Sequence, residues 1–171
     1  RVETIFPERQ KGRKLLMKED NLWLYTPTTK RPVRVTMQQR LTGEIANGDL
    51  ARTNFSGDYE ADLVEKTDVN GRAAYHLKLK ASRAGVTYSK IDYWVNVADF
   101  LPVRAEFYAV SGKLLKTGTY SDPKMILGHK CITKIVFADA LDRSKKSELS
   151  YSGFKKVSEA SVQFSKESLS D

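Results

Sequence analysis

The sequence is poor in the residues that build metal centres and covalent cross-links. It contains one cysteine, Cys131, and two histidines, His76 and His129, among 171 residues. One cysteine cannot form an internal disulfide, and neither histidine has another metal-ligating side chain at ligand spacing. Cys131 alternates with Thr133 and Ile135, which favours a small buried side chain over a reactive thiol. We therefore predict no metal site and no cofactor.

Sequence motifs of common catalytic and nucleotide-binding sites are also missing. The chain has no Gly-x-x-x-x-Gly-Lys-Ser/Thr loop, no Gly-x-Gly-x-x-Gly fingerprint and no Gly-x-Ser-x-Gly elbow. The acidic residues Glu60, Asp62, Asp92 and Glu106 fall on the polar positions of alternating segments, whereas paired acids for hydrolysis need a cleft. These absences predict a protein that is not an enzyme.

Long apolar segments are absent as well. No run approaches the ~18 apolar residues of a membrane-spanning helix, and the first residues do not form a secretory signal. Because the chain begins at Arg1 rather than at methionine, we expect a processed or trimmed form, and export stays open. A hydrophobic content of 40% in 171 residues is typical of one folded domain over residues 1–171.

What the sequence does contain is a series of alternating segments between residues 59 and 109. Side chains two residues apart are apolar and those between them are polar, which is typical of strands with one buried face. Asn70-Gly71 supplies the positive φ angles of a two-residue hairpin, and residues 84–85 and 111–112 are similar glycine-containing breaks. Short turns make consecutive strands antiparallel, so the pattern predicts an antiparallel meander. Its apolar positions are Tyr59, Ala61, Leu63, Tyr75, Leu77, Leu79, Ile91, Tyr93, Val95, Val103, Ala105, Phe107 and Ala109.

The flanking segments are predicted with less regular structure. Residues 14–18 and 22–25 form a hairpin whose second strand is apolar on both faces, with Trp23 and Tyr25 on one of them. Residues 33–55 are interrupted by polar residues and glycines, which favours a flap or loop that crosses the sheet face, with one helical turn at 49–54. Further predicted elements are strands at 1–6, 130–137 and 147–152, a turn at 121–123 and a helix at 158–169.

Positive charge is concentrated near the amino terminus. The formal net charge is +8, and residues 1–56 hold eleven Lys and Arg against six Asp and Glu. Such clusters attract acidic partners, including nucleic acid and anionic lipid headgroups, although a solvated surface explains them equally well. Tyr88 and Trp94, near Lys90 and Asp92, leave open an exposed stacking pair for single-stranded nucleic acid.

Several short segments, in order, resemble the outer-membrane lipoprotein-sorting group, relatives of the LolA and LolB carriers. None is specific alone, and their order and spacing carry the resemblance. The segments are LWLYTP at 22–27, NGDLA at 47–51, residues 59–63, NGR at 70–72, residues 75–79, Tyr88, Trp94-Val95, LPVRAEFY at 101–108 and SGKLL at 111–115.

The resemblance implies a mainly β fold. It is a strongly curved antiparallel sheet, an unclosed half-barrel, with short helical segments over the concave face. Residues 1–171 would form one LolA-like domain that lacks the family's amino-terminal helix and first strands. The implied function is a periplasmic carrier that holds acyl chains of lipoproteins or lipids in a hydrophobic cavity for sorting to the outer membrane.

Candidate residues follow from this resemblance and from the buried positions of the strands. The expected cavity lining is Trp23, Tyr25, Tyr59, Leu63, Tyr75, Leu77, Tyr93, Val95, Phe107 and Leu115. Basic residues expected to face headgroups or an acidic partner are Arg9, Lys11, Arg13, Lys14, Arg31 and Arg34.

The resemblance also sets expectations about partners. They are an inner-membrane transporter or an outer-membrane acceptor, peripheral membrane contact, a monomeric state and no nucleic acid. An alternative is a non-enzymatic periplasmic β domain, an adaptor or envelope sensor, whose sheet is filled by its own side chains and which binds a protein partner. Single-stranded nucleic-acid binding is the remaining alternative.

Overall fold

The computed structural model describes residues 1–42, 44–51, 55–156 and 164–170. Two antiparallel sheets and a small hairpin make up its architecture. Within the described ranges, no helix is both long and apolar enough to cross a membrane.

The amino-terminal sheet has four strands in sequential order. Leu15 and Leu22 on one face pack with Met37, while the ring of Trp23 on the other face lies 4.3 Å from Nζ of Lys166. The predicted hairpin and the coverage of both its faces are therefore confirmed. The strands are β1 (Val2–Glu3), β2 (Lys14–Lys18), β3 (Asn21–Tyr25) and β4 (Val33–Val35).

A short irregular segment crosses from this sheet to the larger one, as predicted. We call residues 44–51 the cover segment. Ile45 and Leu50 pack into the core of the larger sheet, and Ala51 packs into the core of the smaller one. The helical turn begins two residues earlier than predicted, and residues 52–54 lie outside the described part of the chain. The elements of this region are β5 (Arg40–Thr42), β6 (Ile45–Ala46) and α1 (Asn47–Ala51).

The larger sheet has seven antiparallel strands in sequential order and is not closed. Its register aligns Leu77, Tyr93, Ala105, Gly118 and Phe137 across five neighbouring strands. These positions share one face, the inner face. The predicted buried alternation is confirmed at residues 77–79, 91–93 and 105–107, but it is wrong for Ala61 and Leu63, which lie on an edge strand and are exposed. The strands are β7 (Tyr59–Val69), β8 (Arg72–Ala81), β9 (Lys90–Asn96), β10 (Pro102–Tyr108), β11 (Leu114–Ile126), β12 (His129–Asp139) and β13 (Lys146–Ser150).

Turn chemistry explains one confirmed prediction and one that is wrong. Asn70 and Gly71 adopt φ angles of 55° and 78° between β7 and β8, as a two-residue hairpin requires. The predicted turn at 121–123 is instead part of β11, where Pro123 pairs with Ile132. Pairing of β11 with β10 ends at Thr119, so beyond it β11 has a free side on which proline removes no ladder hydrogen bond.

At the carboxyl terminus the predicted helix at 158–169 falls partly on residues outside the described ranges. The described portion contains a single 3-10 turn, Glu167–Leu169, in which Leu169 is fully buried. Arg1 donates a hydrogen bond of 3.3 Å to the carbonyl oxygen of Ser168, so the two ends of the described chain meet.

Candidate functional site

An apolar cavity of about 290 Å³ lies between the inner face of the large sheet and the cover segment. Its walls come from β9 to β12, the β8–β9 loop, the cover segment and the chain after β13. This position follows from the fold, because the cover segment spans the inner face and leaves part of it unfilled. The lining residues are Gly48, Asp49, Phe55, Thr87, Tyr88, Tyr93, Pro102, Phe107, Tyr120, Cys131, Ile132, Ile135, Phe137, Tyr151 and Phe154.

Aromatic side chains give the cavity its shape. The rings of Tyr88 and Phe107 lie 4.5 Å apart, and those of Phe107 and Phe137 lie 6.0 Å apart. Tyr93 and Tyr120 meet edge to face with a centroid distance of 6.0 Å. Mutually packed rings of this kind hold one another in place and bury a large apolar area. The walls are thus pre-formed.

The tyrosine hydroxyls do not add charge to the cavity. Desolvation by burial raises the pKa of Tyr93 and raises that of Tyr120 well above its usual value. For Tyr88, burial is again the first cause, and the adjacent carboxylate of Asp49 raises the pKa further. All three side chains therefore stay neutral at physiological pH.

One buried ion pair interrupts the apolar lining. Nζ of Lys116, on β11, lies 2.5 Å from Oδ2 of Asp49 on α1. It also donates a hydrogen bond to the carbonyl oxygen of Glu44 and sits 4.0 Å from the ring centre of Phe137. Oδ1 of Asp49 accepts a hydrogen bond of 2.7 Å from the Tyr88 hydroxyl. These contacts fasten the cover segment to the sheet and place the Asp49 carboxylate at the cavity wall.

Two further contacts fix the cover segment and the β8–β9 loop. The hydroxyl of Tyr59 donates to the carbonyl oxygen of Tyr88 at 2.9 Å and accepts from its backbone N–H at 3.2 Å. Gly48 packs so closely against Thr87 that a Cβ atom there would lie 1.8 Å from Thr87 Oγ1. Only glycine fits at this approach.

Of the ten residues predicted to line a groove, Tyr93 and Phe107 line this cavity. Tyr59 and Leu77 pack beside it against the same core. Val95 pairs across the sheet with Tyr75 and is half-buried.

The other predicted lining residues lie elsewhere. Tyr75 stacks on Phe100 with a centroid distance of 6.3 Å, and Leu63 on β7 is 62% exposed. Leu115 borders a separate recess beside the β8–β9 loop. Trp23 and Tyr25 belong to the four-stranded sheet. The assignment of these ten residues to a ligand groove stays a prediction.

Sequence reasoning missed most of the cavity wall because it concentrated on residues 59–115. Tyr120, Ile135, Phe137, Tyr151 and Phe154 all come from later parts of the chain. A signal was present for two of them, since Ile135 and Phe137 share an alternating phase on β12. The pairing of β12 with β11 then places both residues on the inner face beside the earlier strands.

The predicted basic residues lie on the four-stranded sheet and its turns. Arg9, Lys11, Arg31 and Arg34 are exposed, whereas Lys14 is only 8% exposed. None of the basic residues predicted to face a partner lines the cavity. Their role toward headgroups or an acidic partner stays a prediction. The predicted set also includes Arg13, which is half-buried.

The suggested exposed stacking pair of Tyr88 and Trp94 is wrong. Tyr88 is 6% exposed and lines the cavity. Trp94 lies on the opposite face of the sheet, stacked on His76 at 4.4 Å and beneath the guanidinium of Arg104 at 5.3 Å. The sheet separates the two rings, so they cannot hold neighbouring bases.

Metal ligands are not grouped in the described ranges, where no three His, Cys, Asp or Glu side chains could hold an ion together. Cys131 is a free thiol, half-buried on the cavity wall. It acts there as a small apolar group.

Comparison with known proteins places this architecture in a family. A crystal structure of a LolA superfamily protein from Nitrosomonas europaea is 40% identical to the chain, with a TM-score of 0.90, and the match covers 98% of this chain and 76% of that one. The chain belongs to the LolA superfamily. A family model described as "Uncharacterized protein" matches residues 2–171. Among curated proteins none matches.

Two more distant solved structures share the LolA-like fold. A putative outer membrane lipoprotein-sorting protein domain from Vibrio parahaemolyticus is 23% identical, with a TM-score of 0.84 and coverage of 99% of this chain and 76% of that one. A DUF1329 family protein from Desulfovibrio piger is 20% identical, with a TM-score of 0.84 and coverage of 98% and 75%. At these identities the likeness shows the LolA-like fold alone.

Proposed function

We propose that this protein is a non-enzymatic periplasmic carrier that binds acyl chains of lipoproteins or lipids in its cavity, for sorting to the outer membrane. The observation that carries the proposal is the aromatic cavity between the inner face and the cover segment. Membership of the LolA superfamily and the fold of a lipoprotein-sorting domain support it.

The energetics of such a carrier need no catalytic group. Burial of a methylene stabilises by about 0.8 kcal/mol in protein and in a bilayer alike, so transfer of an acyl chain between them is nearly isoenergetic. A carrier therefore needs a dry surface of matching volume and a way to open. The cavity supplies the dry surface, and movement of the cover segment supplies the further volume and the way to open.

The present cavity is small for a lipid. A volume of about 290 Å³ lies near the lower limit of ligand pockets in proteins. It suits part of one acyl chain, and a larger ligand requires the cover segment to move away from the inner face. Apolar and polar contacts resist this movement: Ile45 and Leu50 pack into the core of the larger sheet, Lys116 pairs with Asp49, and the backbone N–H of Glu44 donates to Ser147 Oγ at 2.9 Å.

Partners follow from the carrier role. We propose a monomer that receives its ligand from an inner-membrane transporter and delivers it to an outer-membrane acceptor, with transient contact to the membrane surface. The exposed cations around the four-stranded sheet, Arg9, Lys11, Arg31 and Arg34 among them, would face acidic headgroups or an acidic partner.

The proposal is tested by gentle purification without detergent, denaturing extraction and mass spectrometry, compared with the intact native mass. A stoichiometric acylated molecule supports the carrier and gives its substrate class. An empty protein that also fails to take up a fluorescent fatty acid contradicts it. That second outcome favours a periplasmic β domain that binds a protein partner.

A further inference from the structure

The face of the large sheet opposite the cavity, the outer face, carries a second pocket of about 550 Å³. Positions that alternate with the core residues point to this face. Thr117 pairs with Ala138, and Thr119 pairs with both Arg104 and Val136. The full lining is Val69, Asn70, Arg72, Val103, Arg104, Thr117, Thr119, Tyr120, Ser121, Val136, Ala138, Arg143 and Lys146.

The charge of this lining has one sign. Arg72, Arg104, Arg143 and Lys146 contribute four cations, and none of the described lining residues carries a carboxylate. Arg104 is paired with Glu106 at 2.5 Å. Within the described part of the chain, the other three cations form no ion pair with a carboxylate. The pocket therefore has uncompensated positive charge that attracts an anion.

Neutral donors complement the cations. The hydroxyls of Thr117, Thr119 and Ser121 lie along β11 and form no hydrogen bond with another group in the described ranges. Between them and the cations lies an apolar floor that includes Val136 and Ala138. The pocket thus offers hydroxyl donors, charged donors and a patch for carbon atoms.

This combination selects among anions. A guanidinium forms two parallel hydrogen bonds with either a carboxylate or a phosphoryl group. Four cations and three hydroxyls, however, exceed what the two oxygens of one carboxylate accept, and they suit the three terminal oxygens of a phosphate monoester. The volume and the apolar floor leave room for the organic part of such an ester.

We propose that the outer-face pocket binds the phosphoryl group of a phosphate ester, held by Arg72, Arg104, Arg143 and Lys146 with the β11 hydroxyls. The ligand is either a free phosphate monoester or the headgroup of phosphatidic acid, a phospholipid whose phosphate is a monoester. Tyr120 lines both this pocket and the acyl cavity, but phosphate binding at the outer face does not require the carrier function.

The test uses the whole chain and a paired control. Titrations with inorganic phosphate and with glycerol 3-phosphate are followed by amide chemical shifts of Thr117 and Thr119. The variant Arg143→Gln/Lys146→Gln removes two lining cations. Lys78→Gln/Lys80→Gln removes the same charge from exposed positions on β8 that do not line the pocket.

Both ligands are expected to change the amide chemical shifts of Thr117 and Thr119. The affinity for each ligand should be about tenfold weaker in Arg143→Gln/Lys146→Gln, a loss of about 1.4 kcal/mol of binding free energy. The control pair should change it by less than about twofold. Equal weakening in both variants would show a general field effect and overturn the site, as would absence of any shift at millimolar ligand.

Vesicles distinguish the source of the phosphoryl group. Sedimentation with phosphatidic acid vesicles, but not with phosphatidylglycerol vesicles, that is reduced only in Arg143→Gln/Lys146→Gln supports a lipid headgroup. Binding of glycerol 3-phosphate without vesicle sedimentation supports a free ester. Fatty-acid uptake should be unchanged in Arg143→Gln/Lys146→Gln. Failure of the phosphate-site proposal therefore leaves the carrier proposal intact, and failure of the carrier proposal leaves the phosphate site intact.

Discussion

Nζ of Lys116 and Oδ2 of Asp49 lie 2.5 Å apart, and both side chains are only 5% exposed. They come from distant parts of the chain, 67 residues apart. One belongs to the sheet and the other to the cover segment, so this pair fastens the cover segment over the cavity.

Breaking that pair is expected to be costly. Lys116→Met leaves the Asp49 carboxylate buried without its cation, and removal of one partner from a buried pair costs about 3–5 kcal/mol. Urea unfolding should show a loss of this size. The double variant Lys116→Met/Asp49→Leu should recover much of it. As a control, Lys134→Met, which breaks an exposed pair with Glu148, should cost less than about 1 kcal/mol. Similar losses of stability in Lys116→Met, in the double variant and in Lys134→Met would contradict the stabilising role of this ion pair.

The cavity should lose ligand when it is filled. Ile135→Trp places a larger ring into a space of about 290 Å³ and should lower uptake of a fluorescent fatty acid severalfold, with an overpacking cost of about 1–3 kcal/mol. Met125→Trp, at a position 69% exposed, is the matched control and should bind normally. If folded Ile135→Trp still takes up the probe as wild type does, the acyl chain of the probe binds outside this cavity.

Gly48 should tolerate no side chain. Gly48→Ala brings a Cβ atom within 1.8 Å of Thr87 Oγ1, so the cover segment must shift, at a cost of about 1–3 kcal/mol. Thr87→Gly in the same chain removes the clashing atoms and should restore part of the lost melting temperature. Gly85→Ala, where nothing lies within 4 Å but φ is +84°, should not be rescued by Thr87→Gly. If Thr87→Gly restored stability to both Gly48→Ala and Gly85→Ala, a specific clash between residues 48 and 87 would be refuted.

Alkaline pH should expose the buried tyrosines. Burial raises the pKa of Tyr88, Tyr93 and Tyr120 above the usual 10.0. Their contribution to stability is thus complete below pH 10 and falls as pH rises further, because the unfolded chain loses these protons first. Tyrosinate absorbance and circular dichroism should show the three ionising together with unfolding. Tyr93→Phe should reduce that step, and full ionisation before unfolding would contradict the assignment.

Acid should weaken a polar cluster on the outer face. Desolvation acts to raise the pKa of Asp92, but hydrogen bonds from Lys90 and His76 outweigh it and hold the pKa below 3.8. The lowered pKa stabilises the fold above about pH 4, and this contribution disappears as pH falls through the folded-state value. Thermal unfolding should therefore show Asp92→Asn less stable than wild type near neutrality, with the difference shrinking in acid. Asp62→Asn, on an exposed strand position, should show no comparable trend.

Local patterns predicted the strands well because each strand's two faces differ in polarity. Apolar and polar side chains alternate over much of residues 59–109, and the pair Asn70-Gly71 favours the positive φ angles of a two-residue turn. The turn at 121–123 was wrong because proline and aspartate signal turns locally, whereas the free side of β11 tolerates both. Such a free side exists only once the neighbouring strand has ended.

The cavity was harder to predict than the sheet. Lys116 pairs with Phe107 across β10 and β11, so a lysine occupies an inner-face position that local polarity assigns to solvent. Asp49 and the carbonyl oxygen of Glu44, both brought in by the cover segment, make that burial tolerable. The position of the cavity depends on contacts between distant segments, and the periodicity of a sequence does not reveal such contacts.

An open sheet keeps two edges, and β7 is one of them. Its eleven residues carry Glu60, Asp62, Glu65 and Asp68 against one cation, Lys66, on a protein whose overall charge is +8. A second copy approaching along this edge would bring the same acidic row, and like charges side by side oppose strand pairing. The acidic edge therefore opposes edge-to-edge pairing of the unclosed sheet with a second copy of itself.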